Sequence, residues 1–105
     1  LPTAATTGAL NIIPAVSGQT LKIHQIAIQL PATTAVAATN LILRGSASVV
    51  ELKRVAINTV AGAGEYKFTP SIPFILTLAD GLDYIYSAAT TLTNPPIISI
   101  DYEVF

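Results

Sequence analysis

His24 is the only histidine in the chain, so a two-histidine metal site and a histidine relay are excluded at once. A Ser-His-Asp arrangement remains formally open, since serines and aspartates are present. However, no Gly-x-Ser-x-Gly run occurs, and His24 falls inside an apolar strand pattern, where a hydrogen-bonded strand histidine is the simpler reading. Asp80 and Asp83 stand three positions apart beside a glycine. Two carboxylates on one loop can bind calcium or a sugar hydroxyl, but calcium takes about six to eight oxygens and this stretch offers few more acids. Asp80 therefore reads as a turn former. Asp101 and Glu103 alternate on one strand face, the spacing an acid/base pair would need with a partner across the sheet; a solvated strand face is the simpler reading. Tyr66, Tyr84, Tyr86 and Tyr102 are the tyrosines available for an aromatic sugar platform. There is no tryptophan, and Tyr84 and Tyr86 share parity with Leu82, which points to core or subunit contact. Ala61-Gly62-Ala63-Gly64 lacks the Lys-Ser/Thr of a phosphate loop and reads as a hairpin turn. No catalytic, cofactor or metal site is expected.

Composition narrows the class further. The 105 residues suit one domain. Charged residues make up only 10%, against about 25% in an average globular protein, and alanine and threonine stand in their place. A small domain carries its charge on its surface, so a surface this uncharged is expected to be covered by neighbours. The net charge is -1 and there is no basic tract, which argues against nucleic acid as a direct partner. The absence of cysteine excludes disulfides and thiol chemistry. No apolar run approaches the ~20 residues of a membrane-spanning helix, and Leu1-Pro2-Thr3 is not the charged start of a signal peptide.

The elements that would position these residues are strands. Residues 1–9 are small, uncharged and threonine-rich, an arm expected to be loose or to lie on a neighbour. Residues 10–105 form the domain. Leu10, Ile12 and Ile13 begin a strand that Pro14 limits. Leu21 and Ile23 have one parity and Ile26, Ile28 and Leu30 the other, so a bulge or bend is expected at His24-Gln25. Short strands follow over Leu41–Leu43, over 49–58 and over Glu65–Phe68, with a loop between Pro31 and Thr39 in which residues 35–38 are the one helical option. Pro70 and Pro73 bracket a kink. Phe74 to Leu78 and Leu82 to Tyr86 read as the two arms of a central hairpin reversing at Asp80-Gly81. The last strand, Ile97 to Phe105, has Ile98, Ile100, Tyr102 and Val104 on one face and Ser99, Asp101, Glu103 and Phe105 on the other, the clearest two-residue period in the chain. About eight short strands with frequent Gly, Pro, Ser and Asn punctuation predict an all-β, single-domain β-sandwich, jelly-roll-like.

The order of these features resembles a known family. Ser17-Gly18-Gln19-Thr20-Leu21-Lys22-Ile23 leads a strand, and Leu41-Ile42-Leu43-Arg44 follows. Pro73-Phe74-Ile75-Leu76 runs into Asp80-Gly81-Leu82, and Ile98-Ser99-Ile100-Asp101-Tyr102-Glu103-Val104 closes the chain. Over residues 17–105 this resembles small tailed-phage virion proteins of the capsid decoration or cement type. The resemblance implies a compact β-sandwich on the capsid exterior, without catalysis or cofactor, that forms homo-oligomers, trimers above all, and bridges major capsid subunits. It carries no catalytic residues. Leu1, Leu10, Ile75, Ile85, Tyr84, Tyr86 and Phe105 are the residues expected at the contacts with other copies or with the shell, and no membrane is involved. Two other readings stand beside it: a carbohydrate- or receptor-binding module of a fibre, using the tyrosines or the Asp80-Asp83 loop, and a pilus or surface-layer subunit in an extracellular assembly, using strand donation at the chain's ends.

Overall fold

The computed structural model describes residues 4–5, 7–8, 10–69, 74–76 and 80–105. Its elements are all strands: β1 (Ala4–Ala5), β2 (Leu10–Ile13), β3 (Leu21–Leu30), β4 (Thr33–Thr34), β5 (Thr39–Gly45), β6 (Glu51–Ile57), β7 (Val60–Ala61), β8 (Gly64–Phe68), β9 (Phe74–Leu76), β10 (Leu82–Tyr86), β11 (Thr90–Thr91) and β12 (Ile97–Val104). Eight of them build two antiparallel sheets. The first has the order β2-β10-β5-β6, and the second β12-β3-β8, with β9 also pairing β3. The four remaining strands are two-residue pairs, β1 with β11 and β4 with β7. The predicted β-sandwich is the observed fold. The chain passes repeatedly between the two sheets, with β5–β6 as an in-sheet hairpin.

Alternation of apolar residues decides which face each strand buries. Leu21, Ile23, Ile26, Ile28 and Leu30 of β3 face Leu41 and Leu43 of β5, Val55 and Ile57 of β6, and Leu82, Tyr84 and Tyr86 of β10 within one buried core. The parity switch in β3 is a bulge, as predicted. Gln25 opposes Asp101 and Ile23 opposes Tyr102, so His24 is the extra residue. On its other side β3 changes partner at the same point: Leu21–Ile23 pair with β9, and Ile26–Leu30 with β8. The stacked rings of Phe68 and Phe74, 5.6 Å apart, join the two partner strands, and the Lys53 ammonium of β6 lies 5.3 Å from the Phe68 ring centroid. That contact laces the two sheets along one side of the sandwich.

The central hairpin is the main correction. β9 belongs to the second sheet and β10 to the first, so the chain around Asp80-Gly81 crosses from layer to layer and does not reverse within one. The turn chemistry was present, but the strands on either side pair elsewhere: β9 with Leu21–Ile23, and β10 between β2 and β5. Nor do residues 35–38 form a helix; Ala35 makes an isolated bridge to Leu92, in keeping with the weak helix propensity of the flanking threonines. The Ala61-Gly62-Ala63-Gly64 run joins β7 to β8 and is not a hairpin turn between paired strands. The 1–9 arm is not wholly free: β1 pairs with β11, and Ala5 is only 3% exposed in the core. The expected kink at Pro70 and Pro73 lies outside the described residues.

Candidate functional site

The residues singled out for chemistry end up in four separate places. His24 and Glu103 meet on the outer face of the second sheet, Nε2 to Oε1 at 2.7 Å, because the β3 bulge turns His24 toward β12. Both are part-exposed. Asp101 shares that face and makes no hydrogen bond or ion pair among the described residues. The histidine therefore has a carboxylate beside it and no serine, which is half of a relay without a nucleophile.

Asp80 is a structural carboxylate. It is 6% exposed, and Oδ1 accepts hydrogen bonds from the Ala47 amide (2.8 Å) and the Ser46 hydroxyl (3.4 Å). The Ser46 Oγ in turn accepts from the Gly81 amide at 2.8 Å, and the Gly81 carbonyl accepts from the Ser46 amide. Burial pushes the Asp80 carboxyl up, but hydrogen bonds from Ser48, from the Ala47 amide and from Ser46 outweigh it and hold the group below the usual carboxylate value. The aspartate thus closes the β5–β6 turn onto the interlayer crossing. The approach is tight at Gly45, where a side-chain carbon would collide with Ser48 Oγ, stand 2.7 Å from Asp80 Oδ2, and force those side chains to move. At the same turn Val49 has a φ of 60°, a conformation a β-branched residue adopts only under constraint.

Asp83 is on the other side of the first sheet, opposite Arg44 of β5 and Asn11 of β2. It is 7% exposed, and burial pushes its carboxyl up while the Arg44 charge pulls it back. Among the described residues neither Asp83 Oδ1 nor Arg44 Nε has a hydrogen-bond partner. Asp80 and Asp83 therefore do not form the two-carboxylate loop considered for calcium or sugar. Among the described residues no group of three or more His, Asp or Glu side chains could hold a metal ion.

Tyr84 and Tyr86 are 5% and 1% exposed and pack edge to face, with ring centroids 6.2 Å apart. Burial pushes the Tyr86 phenol up to about 12. They are core residues, so their expected place at an external contact is corrected, and no sugar platform forms on them. The other contact residues divide. Leu10, Ile75 and Phe105 are exposed by 43%, 51% and 62%. Ile85 is half-buried beside Ile42 on the outer face of the first sheet, whereas Ile75 lies beside Lys22 on the outer face of the second. These two isoleucines cannot serve one contact, because the strands carrying them are not a hairpin. Leu1 lies outside the described residues.

Two surface features went unremarked in the sequence. One is a recess of about 250 Å³ beside the β5–β6 turn, with Val50, Leu52, Phe74, Ile75 and Leu76 as walls and Ser48 and Asp80 as its polar groups. The other is the free side of β12. Its row of Ile98, Ile100, Tyr102 and Val104 faces the same side as Ile28, Ile26, Ile23 and Leu21 of β3. The β3 residues are fully buried, yet Tyr102 and Val104 remain 43% and 47% exposed. The sandwich is open along that edge. The period-two signal foretold the alternation; it carries no information on whether the opposite layer reaches far enough to cover it.

No protein-family model, curated protein or solved structure matches the chain.

Proposed function

We propose that this is a non-enzymatic structural protein of a virion, a capsid decoration or cement protein that forms homo-oligomers, trimers in the first instance, and bridges major capsid subunits. The observation that carries the assembly part is the amount of apolar surface left outside. Val36, Val60, Ile75, Ile97, Val104 and Phe105 are all at least 47% exposed on a domain with few charges to keep it apart from neighbours. The virion part rests on the sequence resemblance. A cement protein acts by contact area, and binding only the assembled shell stabilises the shell by mass action. Nothing in that role needs the His24-Glu103 pair or the buried aspartates to react.

Light scattering of the purified protein, followed by co-sedimentation with assembled and disassembled shells, tests the reading. A closed oligomer that pellets only with assembled shells is the expected result. A monomer that ignores shells at all concentrations would sink it. The open β12 edge gives a second reading, a pilus or surface-layer subunit joined by strand addition; fibres in negative-stain images would select it. The glycan-binding reading has lost its tyrosine platform to the core.

A further inference from the structure

We infer that the free edge of β12 is a strand-addition site for an extended segment of a partner chain in which apolar residues alternate with lysine or arginine. The inference rests on the assembly reading for the existence of a partner, and on the edge itself for that partner's chemistry. Among the described residues β12 pairs on one side only, with β3. It is eight residues long, and its free side offers a row of unpaired backbone donors and acceptors, the feature proteins normally blunt with lysine, proline or a short strand. The other outer strands are blunted by those devices: β2 has four residues and runs into Pro14, β9 has three residues, β6 carries Lys53 and Arg54, and β8 carries Lys67. β12 has no basic residue and no proline within it.

The two faces of the strand state what an added strand must carry. On the core side, the part-exposed row of Ile98, Ile100, Tyr102 and Val104 calls for apolar partners. On the outer side, Asp101 and Glu103 are exposed; Glu103 has His24 beside it and Lys22 opposite it on β3, whereas Asp101 stands opposite Gln25 and makes no hydrogen bond or ion pair among the described residues. Opposite charges across a strand pair stabilise it and like charges directly opposite destabilise it. A second copy of β12 is the poorer occupant. Antiparallel pairing about a two-fold axis at Asp101 sets that residue against itself, and an axis at Tyr102 sets Asp101 against Glu103. An axis at Ile100 avoids direct opposition but still gathers four carboxylates on one face. An alternating basic segment meets both rows at once.

Two labelled peptides test this on the intact chain, Thr-Val-Lys-Val-Lys-Val-Thr and Thr-Val-Glu-Val-Glu-Val-Thr, with binding read by fluorescence anisotropy and the site by amide hydrogen exchange. Two charge pairs gained against two repulsions predict a preference for the lysine peptide of about tenfold at low salt. New protection should be confined to β12, and the preference should reverse in the Asp101→Lys/Glu103→Lys variant, whose substitutions are both at exposed positions. Equal affinity for the two peptides, binding of neither, or protection away from β12 would overturn the inference. So would β12 amides that become protected with rising protein concentration in the absence of peptide, which would assign the edge to a second copy. Shell co-sedimentation is a separate readout, so a lysine peptide that binds a chain indifferent to shells would leave the edge chemistry standing and remove the virion role.

Discussion

Three buried side chains and one strained backbone position mark where single residues govern stability. The Asp80 carboxylate ties the β5–β6 turn to the interlayer crossing through the Ala47 amide and the Ser46 hydroxyl. Asp80→Asn should cost about 1–3 kcal/mol in urea unfolding at neutral pH, as expected when a buried hydrogen-bonded charge is lost. Its folded pKa lies below the unfolded value. Its contribution is therefore present above the ordinary carboxyl range and is lost as pH falls through the depressed folded value. Asp83 has the opposite sign: its carboxyl is raised, so its contribution is present at low pH and fades as pH rises through that raised value. Asp80→Asn should thus flatten the acid limb of a stability-against-pH curve, and Asp83→Asn should not. Tyr86 differs again. Its buried hydroxyl has no partner among the described residues, and Tyr86→Phe removes an unsatisfied group while keeping the ring, so it should be neutral or stabilising by up to about 1 kcal/mol. Val49 holds a left-handed backbone conformation at an exposed position, and Val49→Gly should stabilise the turn by about 1 kcal/mol, measured by thermal unfolding.

At the scale of elements, the β3 bulge is where sequence and structure agree most closely. A period-two pattern that changes parity can keep one face buried only by inserting a residue, and Leu21-Ile23 against Ile26-Ile28-Leu30 states that directly. The same residue marks the change of partner from β9 to β8. Deleting His24 would put one half of β3 out of register with its neighbours and turn its apolar row to solvent. The deletion variant should lose its cooperative unfolding transition, while His24→Ala, which keeps the residue count, should retain it. The β9–β10 hairpin was illegible for a matching reason. Asp-Gly chemistry signals that the chain turns, but the choice between an in-sheet reversal and a crossing between layers depends on which strands offer a free edge. Leu21–Ile23 provide that edge for β9 from about fifty positions away, and no local pattern records it. The buried state of Asp80 and Asp83 was hidden likewise, since it follows from Ser46, Ala47 and Arg44, which the fold brings to them from β5 and its turn.

At the scale of the whole molecule, the question is which apolar contacts belong to the domain and which to its assembly. The N-terminal segment decides this, because composition alone casts it as an arm reaching to a neighbour. Ala5 instead lies in the core, β1 pairs with β11, and the same end of the sandwich is knit by Thr33, Thr34, Thr93 and Asn94. Removing residues 1–9 takes away a buried alanine and a strand pair, a loss of about 1 kcal/mol from apolar burial. In a domain of this size that corresponds to a fall in Tm of about 4–8 °C. A contact within the chain gives the same fall at every protein concentration, whereas a contact between copies gives one that grows as the sample is concentrated. The expected outcome is a concentration-independent fall, with the mass by light scattering unchanged from that of the full chain. A fall that depends on concentration, together with a loss of mass, would mean that β1 and β11 also hold copies together. With β1 assigned to the domain and the β12 edge to a different partner, the surface left for contacts between copies is the exposed Val36, Val60, Ile75 and Phe105, and substitutions at those positions are the ones expected to change oligomer mass without changing the monomer's Tm.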